Sequence, residues 1–335
     1  MTTAAPVSPD VIFDTLFAYQ QTAALKAGID LGLFTALDGE ARDPAALASA
    51  LGASERGVRI LCDYLVTIGL LAKAGSRYSL VPASAAFLSQ RSPMYMGTVA
   101  NFLTLPQLKR NFDNLTETVR TGTVATEGNT VSVENPLWLD FARAMVPMAV
   151  PGAHAIGTIL GIESAGPLQV LDIAAGHGMY GIVLAQRNPE VRVAAADWAP
   201  VLEIAREHAR AAGVESRFRT IPGDAFATDF GAGFGVALVT NFLHHFDPAQ
   251  CTAFLKKVAA ALSPGGQVVI VEFVPNPDRI SPPMPARFSL TMLAGTPNGD
   301  AYTLAELTDM LEAAGFHDVR SHGLPTPEMV VIART

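Results

Sequence analysis

The chain has 335 residues, of which 50% are hydrophobic and 16% are charged, and its formal net charge is −8. This length predicts two modules with a large apolar core, and the two distant cysteines, Cys62 and Cys251, exclude a disulfide framework. The acidic balance argues against nucleic acid as a partner, because binding to phosphates requires clustered lysine and arginine.

Residues 1–96 are predicted to form a mostly α-helical winged-helix domain. Apolar positions recur at helical spacing over 11–36, and Asp43-Pro44 and Ser54 each begin a further helix by their capping signals. Two short strands around a Gly-Ser turn follow in L-L-A-K-A-G-S-R-Y-S-L-V-P. Winged helices often bind DNA, but seven basic and eight acidic residues leave no basic stripe here. A dimerisation domain is therefore favoured over a DNA-binding regulator.

A mostly helical connector is predicted over 97–165, interrupted by a loop at 121–130. From 166 to 335, strand patterns alternate with helices that begin near Met179, Pro200, Pro248 and Leu304. This alternation predicts an α/β, Rossmann-like sheet of mostly parallel strands. The last two of the seven strand patterns, D-V-R-S-H-G-L-P and E-M-V-V-I-A-R, are separated only by a turn. They should form a hairpin that makes the last strand antiparallel.

The apolar runs are about as long as strands, far below the ~20 residues that a membrane helix needs. The segment M-T-T-A-A-P-V-S-P-D has neither a basic region nor an apolar region of the kind found in signal peptides. We therefore expect a cytoplasmic protein with no membrane partner.

A glycine-rich turn follows the first strand of the α/β region, in V-L-D-I-A-A-G-H-G-M-Y-G. Gly176, Gly178 and Gly181 fit the G-x-G-x-x-G pattern of dinucleotide sites, and Asp197 lies about twenty residues further on. An NAD-dependent oxidoreductase is therefore one interpretation. His177, inside this turn, is either a cofactor contact or an exposed loop residue.

Acidic residues at three successive strand ends favour S-adenosylmethionine (SAM) over a nicotinamide cofactor. Asp172 precedes the turn, where a carboxylate can face the cationic amino-acid part of SAM, whereas dinucleotide sites usually keep that position apolar. Asp197 can accept the ribose hydroxyls. Asp224, in G-D-A-F, can accept the adenine amino group while Phe226 packs on the ring. Solvated strand ends would explain any one of these acids, but poorly explain all three.

The motifs V-L-D-I-A-A-G-H-G, A-D-W-A-P, G-D-A-F, N-F-L-H-H-F-D and V-V-I-V-E-F-V-P resemble those of the plant-type and bacterial small-molecule O-methyltransferases. The resemblance covers nearly the whole chain. It implies a winged-helix dimerisation domain before a class I methyltransferase domain, a homodimer, SAM as cofactor with S-adenosylhomocysteine (SAH) as product, and an aromatic or polyketide-like hydroxyl substrate. Some relatives keep the SAM site but catalyse hydroxylation, decarboxylation or pericyclic steps, which is the alternative function.

The same resemblance assigns residue roles. It places the general base on His244 and the glutamate that orients it on Glu272. His245 and Ala301 stand where many members carry carboxylates, and Ala174 replaces the first glycine of the usual turn. Histidine is the usual general base near neutral pH, and a carboxylate on its other ring nitrogen would fix the tautomer.

The remaining assignments complete the expected site. The residues expected to bind the cofactor are Asp172, Ala174, Gly176, Gly178, Asp197, Trp198, Asp224, Ala225, Phe226 and Asn241. Those expected to line an apolar substrate pocket, unless they are plain core, are Phe141, Met145, Met148 and Met292. No metal is expected, because adjacent histidines on an extended chain would point to opposite sides and further ligands at suitable spacing are lacking.

Overall fold

The structure is a computed structural model that describes residues 7–124 and 136–335. The chain forms two compact units, Met1–Thr104 and Leu105–Thr335. Their division lies inside the predicted connector, and most of the loop predicted at 121–130 lies outside the described residues. The three-part division into 1–96, 97–165 and 166–335 stays a prediction.

The first unit has the predicted order of helices followed by a two-stranded hairpin. The side chains of Asp43 and Ser54 each accept a backbone N–H of the helix that follows, as predicted. The single helix predicted over 11–36 is wrong, because it breaks at Gly32, whose φ of 72° is left-handed. The elements are α1 (Asp10–Asp30), α2 (Leu33–Ala36), α3 (Pro44–Leu51), α4 (Glu55–Thr67), β1 (Leu71–Ala74), β2 (Arg77–Leu80), α5 (Pro82–Leu88) and α6 (Thr98–Leu103).

The two halves of α1 differ in burial. Near its end Ile29 joins the core of the unit, with Phe34, Leu65 and Tyr78. The first half instead exposes a run of large apolar side chains: Val11, Ile12, Phe13, Leu16, Phe17 and Tyr19. Contiguous apolar surface of this kind is typical of an interaction site.

The second unit begins with helices and continues as an α/β sheet. Its helices are α7 (Pro106–Arg110), α8 (Leu115–Thr121), α9 (Leu137–Ala144), α10 (Val146–Ile159), α11 (Met179–Arg187), α12 (Ala199–Ala211), α13 (Pro248–Ala261), α14 (Pro283–Gly295) and α15 (Leu304–Ala313). Its strands are β3 (Leu168–Ile173), β4 (Val191–Asp197), β5 (Phe218–Pro222), β6 (Phe234–Thr240), β7 (Leu262–Glu272), β8 (His317–Gly323) and β9 (Met329–Arg334).

The strands form one sheet in the order β5-β4-β3-β6-β7-β9-β8. All neighbours are parallel except β9, which runs antiparallel to β7 and β8. The predicted seven-stranded sheet with an antiparallel last strand is therefore confirmed. Helix α14 was not foreseen from the strand–helix alternation. Apolar side chains cover both faces of the sheet in two separate buried clusters.

The carboxyl ends of the parallel strands lie along one edge of this sheet. Asp172, Asp197 and Glu272 lie at the ends of β3, β4 and β7, and Asn241 directly follows β6. Open α/β sheets bind ligands at this edge. Within the described ranges, the helices lack the length and apolar character needed to cross a bilayer.

Candidate active site

The glycine-rich turn between β3 and α11 contains left-handed backbone conformations, which glycine adopts more readily than other residues. Gly176 and Gly178 have left-handed φ values of 54° and 72°. A Cβ on Gly178 would lie 3.1 Å from the Cβ of Ala205 and 3.2 Å from Phe218, so this residue is fixed by packing as well. Ala174 also has a left-handed φ, 51°, which accounts for the glycine usual at this position in the proteins it resembles.

Asp172 is fully buried below this turn. Its Oδ2 accepts the N–H of Gly181 at 3.1 Å, while its Oδ1 has no hydrogen-bond partner. Burial, assisted by the negative charge of Asp197, raises the pKa of Asp172 to about 7, and the Gly181 N–H opposes that rise. A buried carboxylate oxygen without a partner is well suited to a cationic ligand group.

Asp197 ties the end of β4 to the turn. Its Oδ2 accepts the N–H of Gly176 at 2.8 Å, and its Oδ1 accepts the N–H of Trp198 at 2.6 Å. Burial raises its pKa to about 6, and these two N–H groups oppose the rise. Each oxygen keeps a second lone pair, so the carboxylate can still accept hydroxyl groups. The side chain of Trp198 packs on a small buried cluster with Ala142.

The residues after β5 follow the outermost strand of the sheet, at the edge formed by the carboxyl ends of the parallel strands. The Oδ1 of Asp224 accepts the N–H of Phe226 at 2.8 Å, and the carbonyl of Ala225 accepts Lys257 Nζ at 2.8 Å. Phe226 is still 36% exposed, and its ring packs edge-on against Phe246 at 4.8 Å. An aromatic face therefore stays open next to a fixed carboxylate.

Asn241 follows β6, the strand next to β3. Its φ is 52°, and its N–H donates to the carbonyl of Val271 at 2.8 Å. Its side-chain Oδ1 is buried without a partner. Asp172 and Asn241 thus bring two unpaired acceptors to neighbouring strand ends, and a cationic amino group, which donates hydrogen bonds, requires such acceptors.

His244 and Glu272 form a buried pair. His244 Nδ1 and Glu272 Oε2 are 2.5 Å apart, and the two residues are 5% and 2% exposed. Glu272 Oε1 accepts the N–H groups of Phe242 at 3.1 Å, Leu243 at 2.8 Å and His244 at 3.4 Å. The carboxylate therefore fixes both the turn and the imidazole. His244 Nε2 makes no hydrogen bond to the described residues.

His245 lies next to this pair, not opposite it. The expectation of an extended chain is wrong, because Leu243–His245 form a 3₁₀ turn and the two imidazole centroids are 4.4 Å apart. The ring of His245 meets Trp138 edge-on at 5.4 Å, and its Nδ1 is buried without a partner. Burial and the neighbouring His244 lower the pKa of His245 well below its ordinary value.

Asp300 does not replace the carboxylate that many members of the family carry at the position of Ala301. Ala301 is buried, and Asp300 forms an ion pair with Arg279 at 3.2 Å near the surface. No cluster of three or more His, Cys, Asp or Glu residues suited to a metal occurs in the part of the chain that the structure describes.

The expected pocket residues lie on two helical segments. Phe141, on α9, lies 3.6 Å from the position that a Cβ on Gly176 would take. Met145 links α9 to α10 and is half-buried, as is Met148 within α10. Met292, on α14, is 6% exposed. Phe141 is therefore in contact with the glycine-rich turn.

Three site residues were missed by the sequence reasoning. Phe288, on α14, meets the ring of His244 edge-on at 4.8 Å, and its i,i+4 spacing from Met292 was the available signal. Tyr180 is buried, with its ring centroid 6.0 Å from that of His177. Glu328 is 7% exposed with Oε2 unpartnered, and burial raises its pKa. Glu328 directly precedes β9, which is antiparallel to β7. This strand therefore begins at the edge of the sheet where the parallel strands end.

Comparison with known proteins decides the family. The chain is 30% identical over 329 residues to 3-hydroxy-5-methyl-1-naphthoate 3-O-methyltransferase of Streptomyces sahachiroi, covering 95% of this chain and 92% of that protein. The chain belongs to the O-methyltransferase family. Models of the O-methyltransferase domain and of the O-methyltransferase dimerisation domain match residues 161–317 and 13–90.

Two further relatives support the same family assignment for this O-methyltransferase. The tetracenomycin polyketide synthesis 8-O-methyltransferase of Streptomyces glaucescens is 29% identical, covering 97% of this chain and 96% of that protein. A solved structure from Nostoc punctiforme, described as a candidate O-methyltransferase, is 45% identical with a TM-score of 0.94, covering 99% of this chain and all of that one. Other solved structures of this fold contain SAM or SAH. The cofactor of the enzyme is SAM, as predicted.

Proposed function

We propose that this O-methyltransferase transfers a methyl group to a hydroxyl of an aromatic or polyketide-like small molecule, with His244 as general base and Glu272 as its orienting partner. The observation that carries the proposal is the buried 2.5 Å contact of Nδ1 with the carboxylate, together with an Nε2 that makes no hydrogen bond to the described residues.

The arrangement suits proton removal from a hydroxyl. SAM supplies a methyl group that is transferred by in-line displacement, so the protein mainly positions the reactants. Because the carboxylate accepts from Nδ1, the ring carries its proton there and presents a lone pair at Nε2. Nε2 takes the proton of the hydroxyl as attack begins. Glu272 then stabilises the imidazolium, and its three backbone contacts prevent it from moving away.

The cofactor residues divide by chemistry. The unpaired oxygens of Asp172 and Asn241 would hold the amino group of SAM. Asp197 has lone pairs for the ribose hydroxyls, and Asp224 with Phe226 offers a carboxylate and an aromatic face to adenine. Ala174, Gly176, Gly178, Trp198 and Ala225 shape the surface around these groups.

The substrate class is supported by the lining and by the relatives. The two Streptomyces proteins are named for methylation of a hydroxynaphthoate and for polyketide synthesis. In this chain, Phe288 contacts the proposed base, Phe141 stacks on His177 in the glycine-rich turn, and Met292 is buried on the same helix as Phe288. Such side chains favour a flat apolar molecule with a hydroxyl group.

The first unit supports a homodimer. The match to a dimerisation domain, over residues 13–90, includes most of the exposed apolar run on α1. A second copy of the chain would bury that surface. Light scattering after size exclusion should therefore give twice the mass of one chain, and a monomer at micromolar concentration would contradict the inference. The cytoplasmic location stays a prediction.

The function is tested by SAH formation with a panel of phenols and hydroxynaphthoates, followed by mass spectrometry of the product. Methylation on oxygen is expected. Relatives that use a SAM site for hydroxylation, decarboxylation or pericyclic steps would leave the substrate oxygen unmethylated. The absence of methyl transfer to all hydroxyl acceptors would count against the proposal.

The residue roles are tested by a double-mutant cycle. His244→Ala should lower kcat by on the order of 10²–10⁴-fold, while SAH affinity measured by calorimetry stays near that of the wild type. Because Glu272 acts through His244, Glu272→Gln should slow the wild type strongly but have little further effect in His244→Ala. Independent, multiplicative effects would refute the pairing.

A further inference from the structure

His177 lies inside the glycine-rich turn and is built into the site, not exposed on a loop. It is 4% exposed. Its ring is nearly parallel to that of Phe141, with centroids 6.1 Å apart and an interplanar angle of 16°, and it lies 6.0 Å from the ring of Tyr180. Two aromatic side chains therefore fix its orientation.

The tautomer of His177 is set by the backbone. The N–H of Met179 donates to Nδ1 at 3.1 Å, so Nδ1 carries no proton and a neutral ring must carry it on Nε2. Burial, with the nearby His208, lowers the pKa of His177 to about 3, so the ring is neutral at physiological pH. His208 also donates from Nδ1 to the carbonyl of His177 at 2.9 Å. The side chain is a fixed, neutral donor.

The Nε2–H of His177 makes no hydrogen bond to the described residues. It is also not closed off from solvent, in contrast to the unpaired Nδ1 of His245. A donor held rigidly in a largely buried site calls for an acceptor on a ligand.

The chemistry of the turn indicates which acceptor. The amino-acid part of SAM carries an ammonium and a carboxylate, and Asp172 with Asn241 suits the ammonium. The carboxylate needs donors, but the N–H groups of Ala175, Gly176, Gly178 and Met179 already donate within the protein. The N-terminus of α11 favours negative charge nearby. The backbone N–H of His177 makes no hydrogen bond to the described residues, and the imidazole Nε2–H of the same residue offers the carboxylate a second donor.

We propose that His177 binds the α-carboxylate of SAM through its Nε2–H. The proposal rests on the use of SAM by this enzyme and not on the role of His244. It gives the cofactor's amino-acid part both kinds of hydrogen-bond partner: unpaired oxygens accept from the ammonium, and a neutral imidazole N–H donates to the carboxylate.

The test compares two variants that separate the two ring nitrogens. His177→Asn keeps an acceptor for the Met179 N–H but loses the distal donor. His177→Gln keeps a distal N–H donor but loses the proximal acceptor. His177→Asn should bind SAH roughly 10- to 100-fold more weakly, as expected for loss of a hydrogen bond to a charged group. His177→Gln should retain most of the affinity, measured by calorimetry.

The decarboxylated analogue of SAH, which keeps the amino group, identifies the ligand atom. The wild type should prefer SAH to this analogue, and His177→Asn should lose that preference. His177→Phe keeps an aromatic ring beside Phe141 and should also lose the preference for SAH over the analogue. Because the ratio of the two affinities is taken within one protein, partial unfolding does not imitate the result.

Two outcomes would overturn the proposal. One is an unchanged ratio in both His177→Asn and His177→Phe. The other is loss of SAH affinity in His177→Gln alone, which would mean that His177 only caps the start of α11. Failure of the methyl-transfer proposal looks different, because it would leave SAH binding and its dependence on His177 intact.

Discussion

Asp172→Asn should stabilise the free enzyme and weaken cofactor binding at the same time. Burial raises the pKa of this carboxyl from 3.8 to about 7. At ~1.4 kcal/mol per pKa unit, the ionised form is disfavoured by about 4 kcal/mol relative to the unfolded chain. The asparagine can still accept the N–H of Gly181, but its buried amide N–H would lack a partner, which costs ~1–3 kcal/mol. A net stabilisation of about 1–3 kcal/mol above pH 7 is left.

The sign of the pH dependence follows from the raised pKa. Between the unfolded pKa near 4 and the folded pKa of about 7, the folded chain binds more protons than the unfolded chain. The stability of the wild type therefore falls as the pH rises through this window and is level above it. The stability difference between Asp172→Asn and the wild type should shrink as the pH is lowered towards 4.

Calorimetry and thermal unfolding at pH 5 and pH 8 provide the assay. SAH affinity should drop about 10- to 100-fold, because the ammonium loses a charged partner. Asp309→Asn, an exposed site on α15, should change neither quantity. If Asp172→Asn is less stable than the wild type at pH 8, or binds SAH equally well, the account of Asp172 is wrong.

Two predictions concern the backbone of the glycine-rich turn, both measured by thermal or denaturant unfolding. Ala174→Gly should stabilise the protein by about 0.5–1 kcal/mol, because the left-handed φ of 51° strains an alanine, whereas the same change at Ala175 should destabilise it. Gly178→Ala should be about 1–3 kcal/mol more destabilising than Gly213→Ala. Both glycines have a φ of 72°, but only at Gly178 would the new Cβ meet neighbours such as Ala205, at 3.1 Å. Equal losses at the two glycines would show that packing at the turn is unimportant.

Much of the fold could be read from local pattern. The capping residues Asp43 and Ser54, the Gly-Ser hairpin and the strand–helix alternation are each fixed by neighbours in sequence, and each is confirmed. The break of the first helix at Gly32 was missed because the apolar spacing continues across it, and a single glycine inside a helical pattern is a weak signal.

Part of the candidate site was predictable because open α/β sheets bind ligands at the carboxyl ends of their parallel strands. Parallel strands end at the same edge, so polar residues at successive strand ends predict one site. Glu272 was predicted from the family resemblance, whereas this rule predicted Asp172, Asp197 and Asp224. It failed for Glu328, because the antiparallel β9 begins at that edge. It also failed for Phe288, because this residue lies within α14 and not at a strand end, and its i,i+4 spacing from Met292 was the one signal available.

The sequence by itself determined which residue types stand at the strand ends, and therefore the cofactor class and the family. Only the tertiary structure decided the states of those groups. The contact of Nδ1 of His244 with Glu272, the unpaired oxygens of Asp172 and Asn241, and the proton position on His177 depend on burial and on partners distant in the chain. Desolvation and hydrogen-bond direction are properties of the folded environment, so a one-dimensional pattern cannot carry them.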